Sequence, residues 1–132
     1  MDKAALIFAG LAGLGHIYIW VMESLTWRKP ATWKRFGVAS QEEAETQRTF
    51  AYNQGFYNLF LAFGALLGVA CVVLHNGVST AGWTLIFFAC SCMFGAALVL
   101  LSSGSGTQYA RPAMMQGTLP LLAIVAGIAA LA

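Results

Sequence analysis

Residues 49–74 read TFAYNQGFYNLFLAFGALLGVACVVL, a run without a single charged side chain. The hydrocarbon core of a bilayer takes roughly 20 apolar residues to cross as a helix, against about 9–11 for a barrel strand. Backbone groups in lipid have no outside partner, so a run this long and continuous closes its own hydrogen bonds as a helix. Three more stretches have the same character. Ala4 to Trp27 is interrupted only by His16 and Glu23, whereas Ala81 to Leu101 and Pro112 to Ala132 carry no charge at all. The reading is an all-α integral membrane four-helix bundle, with residues 1–132 forming a single domain. Its connections are a basic loop, Arg28 to Ser40, and two short links, His75 to Val78 and Ser102 to Arg111.

Composition agrees. The chain is 59% hydrophobic and 9% charged, with mean hydropathy +0.72, where a soluble domain has about 45–50% apolar and about 25% charged residues. So few charges cannot coat a soluble globule, which excludes a water-soluble enzyme. A net charge of +2 is too small, and too localised, to suggest nucleic acid as a partner, and none is expected. The first span outlasts a secretory apolar region of about 7–15 residues and ends in Trp27-Arg28-Lys29-Pro30, an interface anchor and a stop. The apolar ending at Leu131 and Ala132 carries the expectation of no further tail.

Arg28, Lys29, Lys34, Arg35, Arg48 and Arg111 flank the first and third connections, and only Lys3 lies at the opposite end. By the positive-inside rule both termini are outside and the Arg28 to Ser40 loop is cytoplasmic. Trp27 and Trp33 suit the inner interface and Trp83 the outer one. The basic loop, with Trp33 and Phe36, reads first as a topology and lipid-headgroup anchor. Ser40-Gln41-Glu42-Glu43 has capping-box spacing. The second helix therefore starts near Gln41 and runs to about Leu74, roughly 50 Å, so it must protrude or tilt. Pro120 should kink the fourth helix and free the Gln116 carbonyl. Gly64 and Gly68 have the spacing of a close helix contact. Cys71, Cys90 and Cys92 read as apolar packing; Cys90 and Cys92 lie about 200° apart around a helix and make a poor chelating pair.

The functional signal is the polar content of the spans, since ionisable residues there are costly and face a partner or a wet cavity. Glu23 and His16 are two turns apart on one helical face, with Trp20 and Trp27 interleaved. On the second helix Gln47, Gln54 and Asn58 share a stripe with Ala51, and Asn53 and Tyr57 lie about 100° away. Counting depth inward from Trp27 and Gln47 sets Glu23 opposite Asn53 or Gln54, and His16 opposite Asn58. The expected site is a polar pocket between the first two helices, opening to the cytoplasm. Glu23 and His16 would be its catalytic or recognition groups, and Trp20, Gln47, Asn53, Gln54, Tyr57 and Asn58 its ligand-binding residues. The bland alternative, hydrogen bonds that only hold the bundle together, stands beside it. No metal ligand set is recognisable, and the spacing implies no particular cofactor.

The run Ala51-Tyr52-Asn53-Gln54-Gly55-Phe56-Tyr57-Asn58-Leu59-Phe60-Leu61-Ala62 resembles the signature of a bacterial membrane family, domain of unknown function 1304, as do His16-Ile17-Tyr18, Glu23 with Trp27, and Phe36-Gly37. The resemblance implies a short four-helix membrane protein and names no activity. A looser likeness joins Glu45, Arg48 and Asn53 to the membrane-associated eicosanoid and glutathione metabolism family. That family places an acid where this chain has Phe56; by analogy it implies a trimer with a lipophilic substrate site. Three functions fit the sequence. The first is binding or processing of a small amphiphilic molecule, with membrane lipid around it. The others are an oligomeric channel or transporter, which would need a homo-oligomer, and a structural accessory subunit. The orientation is testable on its own: a cysteine at Asn76 is expected to label from outside intact cells, and one at Thr32 only after permeabilisation. Labelling of position 32 from outside would invert the topology.

Overall fold

The computed structural model describes residues 2–76 and 79–132. Four of its helices are long and apolar enough to cross a membrane, and the chain is an integral, multi-pass membrane protein. Helix α1 spans Asp2–Trp20 and continues into a π-helical turn, Val21–Leu25. A short α2, Pro30–Trp33, and a 3₁₀ turn, Lys34–Phe36, form the first connection. Then come α3 (Gln41–Leu74), α4 (Thr80–Ser102) and α5 (Thr107–Leu131). Gly77 and Val78 of the second expected link lie outside the described residues. In the third link, α5 begins five residues before Pro112 and runs through both Pro112 and Pro120.

The four spanning helices stand in a ring: α1 packs on α3, α3 on α4, α4 on α5, and α5 back on α1, while α1 and α4 scarcely meet across the diagonal. Ala5 and Ala9 of α1 share a cluster with Ala123 of α5, so both termini lie at one end of the bundle. Small residues line the seams. The buried face of α3 is Ala44, Ala51, Gly55, Asn58, Ala62, Ala65, Gly68 and Val72. Without a hydrophobic driving force between helices in lipid, close backbone approach and packing hold a bundle together. Gly68 and Gly82 show this: a Cβ on Gly68 would stand 2.8 Å from the Gly82 carbonyl oxygen and 2.9 Å from the Ile86 nitrogen. The Gly64–Gly68 spacing thus marks the α3–α4 seam, with Gly64 facing Ala89.

At 34 residues, α3 is longer than a bilayer core of about 30 Å requires. Its first turns project beyond the bundle and carry a second, smaller core of Trp27, Trp33, Val38, Ala44 and Ala51, with Phe36 against it. Trp27 Nε1 donates to the Ala44 carbonyl at 2.8 Å. Ser40 caps α3 by accepting from Glu43 N, and the Glu43 carboxylate accepts from Ala39 N, a cap of the expected kind displaced by one residue. The basic connection is therefore a folded cap, with its basic side chains exposed outside this small core. Its tryptophans are buried against protein, as is Trp83 at the far end, instead of facing an interface. Thr32 is buried and bonded to Thr26, which makes the exposed Ala31 the better labelling position.

The α3–α4 contact predicts a mutational contrast. Gly68→Ala pushes two backbones apart and is expected to cost about 1–3 kcal/mol. Gly95→Ala, where a Cβ meets nothing within 4 Å, should be neutral or slightly stabilising through helix propensity. Thermal unfolding in detergent, followed by circular dichroism, distinguishes them. Equal midpoints would mean the seam is not closely packed.

Candidate functional site

Gly55 sets the geometry of the α1–α3 seam at its basic end. A Cβ there would overlap Ser24 Oγ and approach Glu23 Cβ to 3.1 Å. With only hydrogen at that position, the π-helical turn of α1 lies directly on α3. Thr26 N donates to Val21 O at 2.9 Å, closing that turn. The wider turn brings consecutive residues, Met22 and Glu23, to the buried side. Ser24 Oγ then donates to the Tyr52 carbonyl at 2.9 Å.

Glu23, 9% exposed, accepts a hydrogen bond from Asn58 Nδ2 at 2.8 Å. The second Asn58 amide hydrogen goes to the Gln54 carbonyl at 3.2 Å. Helices α1 and α3 are direct antiparallel neighbours, as the spacing implies, but the partner of Glu23 is one turn deeper than Asn53 or Gln54. The reason is side-chain direction. Side chains on a helix lean toward its N-terminus, so in an antiparallel pair Glu23 leans inward and Asn58 leans outward, and they meet across a level that a count of Cα positions separates. His16 is not paired with Asn58. It is 2% exposed, and its Nδ1 lies 2.9 Å from the Ala12 carbonyl oxygen.

The other expected ligand-binding residues divide. Trp20 is half-buried, with its ring edge-on to Phe56 at 6.0 Å. Gln47 bonds Glu43 at 2.9 Å in the projecting part of α3. Asn53, Gln54 and Tyr57 are exposed on the outer faces of α3. If α3 leaves the hydrocarbon about 20 residues before Leu74, Asn53 and Gln54 lie at the interface, where water and headgroups satisfy them, and Tyr57 lies about one turn inside it, within reach of an aromatic belt with Tyr52. Polarity at this level needs no buried partner, which is why a polar stripe did not amount to an inward-facing one. Glu45 forms an ion pair with Arg48 at 2.9 Å, away from Asn53.

Beside Glu23 a groove of about 400 Å³ opens between the end of α1 and α3, lined by Glu23, Ser24, Leu25, Trp27, Arg28, Arg48, Thr49 and Tyr52. Only Glu23 among its walls was an expected site residue. Arg28 and Arg48 sit in charge clusters that topology alone explains, and Tyr52 and Thr49 enter because they flank the Ala51–Gly55 contact face. The one sequence signal for them is Gly55 itself, a small residue where α1 must come close. No group of three or more His, Cys, Asp or Glu able to hold a metal occurs among the described residues.

A family model described as "Protein of unknown function (DUF1304)" matches residues 10–128. No curated protein and no solved structure matches the chain.

The Glu23–Asn58 bond makes a stability prediction. Asn58→Leu strands a buried carboxylate and is expected to cost about 1.5–3 kcal/mol, whereas Glu23→Met combined with Asn58→Leu should recover much of that loss. Denaturant titration of the four members of the cycle measures the coupling. Strictly additive losses would show that the two side chains do not support each other.

Proposed function

The chain belongs to the DUF1304 family, whose description assigns no activity, and we propose from the site itself that it binds the polar head of a small amphiphilic molecule in the groove beside Glu23. The observation that carries this reading is a buried carboxylate that is also a wall of a 400 Å³ groove. Oε2 of Glu23 is held by Asn58, and Oε1 has no hydrogen-bond partner among the described residues. A carboxylate fixed in this way offers an acceptor to a hydroxyl or ammonium of a bound head. Arg28 and Arg48 line the same groove and offer donors to an anionic or carbonyl group. Trp27 and Tyr52 supply aromatic walls, and the groove lies where α3 projects from the hydrocarbon, so a lipid tail could extend along the apolar outer faces of the helices.

Binding is favoured over processing. Ser24 is the hydroxyl next to Glu23, but it donates to the Tyr52 carbonyl, and no base activates it. The positive-inside bias supports a cytoplasmic side for the groove, in keeping with the bacterial inner membrane expected from the sequence. The oligomeric pore and the structural subunit remain as outcomes of the test.

Wild type, Glu23→Gln and Gly95→Ala proteins, purified in one detergent, would be extracted with organic solvent and the extracts compared by mass spectrometry. Wild type and Gly95→Ala are expected to retain the same amphiphile in near-stoichiometric amount, and Glu23→Gln to lose about ten-fold or more, the effect of roughly 1.4 kcal/mol in affinity. Identical extracts from all three, or an extract without any retained amphiphile, would overturn the binding reading. Destabilisation of Glu23→Gln with unchanged extracts would assign Glu23 to structure alone.

A further inference from the structure

Two polar atoms in the interior of α1 have no hydrogen-bond partner among the described residues, His16 Nε2 and Trp20 Nε1. Buried polar atoms in proteins are almost always satisfied, so each such atom requires an explanation. Residues four apart on a helix share a face, and both atoms therefore belong to one side of α1. Their hydrogen-bonding characters are opposite. A carbonyl oxygen can only accept, so His16 Nδ1 carries the hydrogen in its contact with Ala12 O. In the neutral ring Nε2 then presents a lone pair and needs a donor. Trp20 Nε1–H can only donate and needs an acceptor.

The group that completes this pair has to donate and accept at once. A carboxylate or phosphate oxygen only accepts and would leave His16 unsatisfied. An ammonium or a metal cation offers nothing to the indole N–H. A neutral O–H does both. We infer that the His16–Trp20 face of α1 is a binding site for one neutral hydroxyl, supplied by a water molecule or by a hydroxyl of a bound amphiphile.

Gly13 of α1 packs on Leu66 and Ala62 of α3, and Glu23 packs on Gly55. The His16–Trp20 stretch thus faces α3 between those contacts, where Asn58 and Ala62 are the buried residues. The amide nitrogen of Asn58 is committed to Glu23 and Gln54, and no protein donor to its carbonyl oxygen occurs among the described residues. A buried water typically makes about three hydrogen bonds. This site lies about 10 Å inward of Glu23, seven residues at 1.5 Å each. It uses different atoms from the groove and stands whether or not the groove binds an amphiphile.

Solid-state nuclear magnetic resonance on the full chain in lipid nanodiscs tests it. A His75→Asn background leaves His16 as the sole imidazole, and Trp20→Phe assigns the Trp20 indole. With ¹⁵N-labelled histidine and tryptophan, the expected result is an Nδ1–H ring whose Nε2 resonance is displaced from the position of a bare ring nitrogen by hydrogen bonding. Magnetisation should also pass from an exchangeable hydroxyl to the Trp20 indole proton. Transfer that persists after exhaustive detergent exchange identifies water. Transfer that disappears with the extracted amphiphile and returns on adding the extract back identifies a ligand hydroxyl. His16→Gln keeps an acceptor and is expected to retain the transfer, whereas His16→Phe should abolish it; if His16→Phe does not accumulate, loss of the Nε2 displacement in Trp20→Phe reads the same coupling. A bare Nε2 with no transfer in either preparation, or a doubly protonated ring, would overturn the inference.

Discussion

The missing side chain of Gly55 is the condition on which the polar architecture depends. Any larger residue would meet Ser24 and Glu23 and hold α1 off α3 at the basic end. Contact at that point lets Ser24 reach the Tyr52 carbonyl and brings Glu23 within 2.8 Å of Asn58. It also fixes how far the chain must travel to turn into the cap, where Trp27 closes on Ala44. A buried carboxylate is tolerable only with a hydrogen-bond donor beside it, so close approach of two backbones and burial of an acid are one requirement here. The groove lies beside the same contact, with Glu23 and Ser24 of the π-helical turn and Tyr52 of α3 among its walls.

The fold was legible because hydrocarbon leaves few choices. Four long apolar runs, short links and a capping signal at Ser40 define the spans with little help from specific contacts. The site was legible only in part. Glu23, His16 and Asn58 all turn inward, as the cost of intramembrane polarity requires. Asn53, Gln54 and Tyr57 do not: they are exposed on the outer faces of α3, and a span of about 20 residues ending at Leu74 sets them at or near the interface. Polarity alone does not report depth, and depth depends on how far the helix projects, which the folded cap determines. The π-helical turn had no signature in spacing, and it is the turn that puts Met22 and Glu23 side by side on the buried face.

Trp27 and Trp33 teach a related lesson. Aromatic residues beside a run of arginines and lysines carry the composition of an interface belt, and that composition says nothing about whether the rings face lipid or protein. Here they are 6% and 4% exposed and form the centre of the cap. The indoles thereby lend the projecting end of α3 a core of its own, and the basic side chains remain outside it. Lys34 lies 5.6 Å from the Trp33 ring centre, and Arg35 donates to the Tyr18 hydroxyl at 2.8 Å. One charge thus packs on the cap and another ties it to α1.

The distribution of polar groups along the α1–α3 seam has a direction. At the cap end, Asn58 donates to Glu23 and Ser24 donates to the Tyr52 carbonyl, beside a groove that carries arginines. Further in, His16 and Trp20 present one acceptor and one donor without partners. Beyond them the core is Ala5, Ala9, Val72, Ile86, Cys90 and Ala123, with the Trp83 ring completing it. Charge therefore gives way to neutral polarity and then to hydrocarbon from the cap end of α1 inward to the core shared by all four spanning helices. Packing by itself would favour small apolar residues throughout, as in the α3–α4 seam with its Gly68–Gly82 contact. Under the proposed binding of an amphiphile, this order of charge, neutral polarity and hydrocarbon is what a polar head and an apolar body would meet on entering from the basic side.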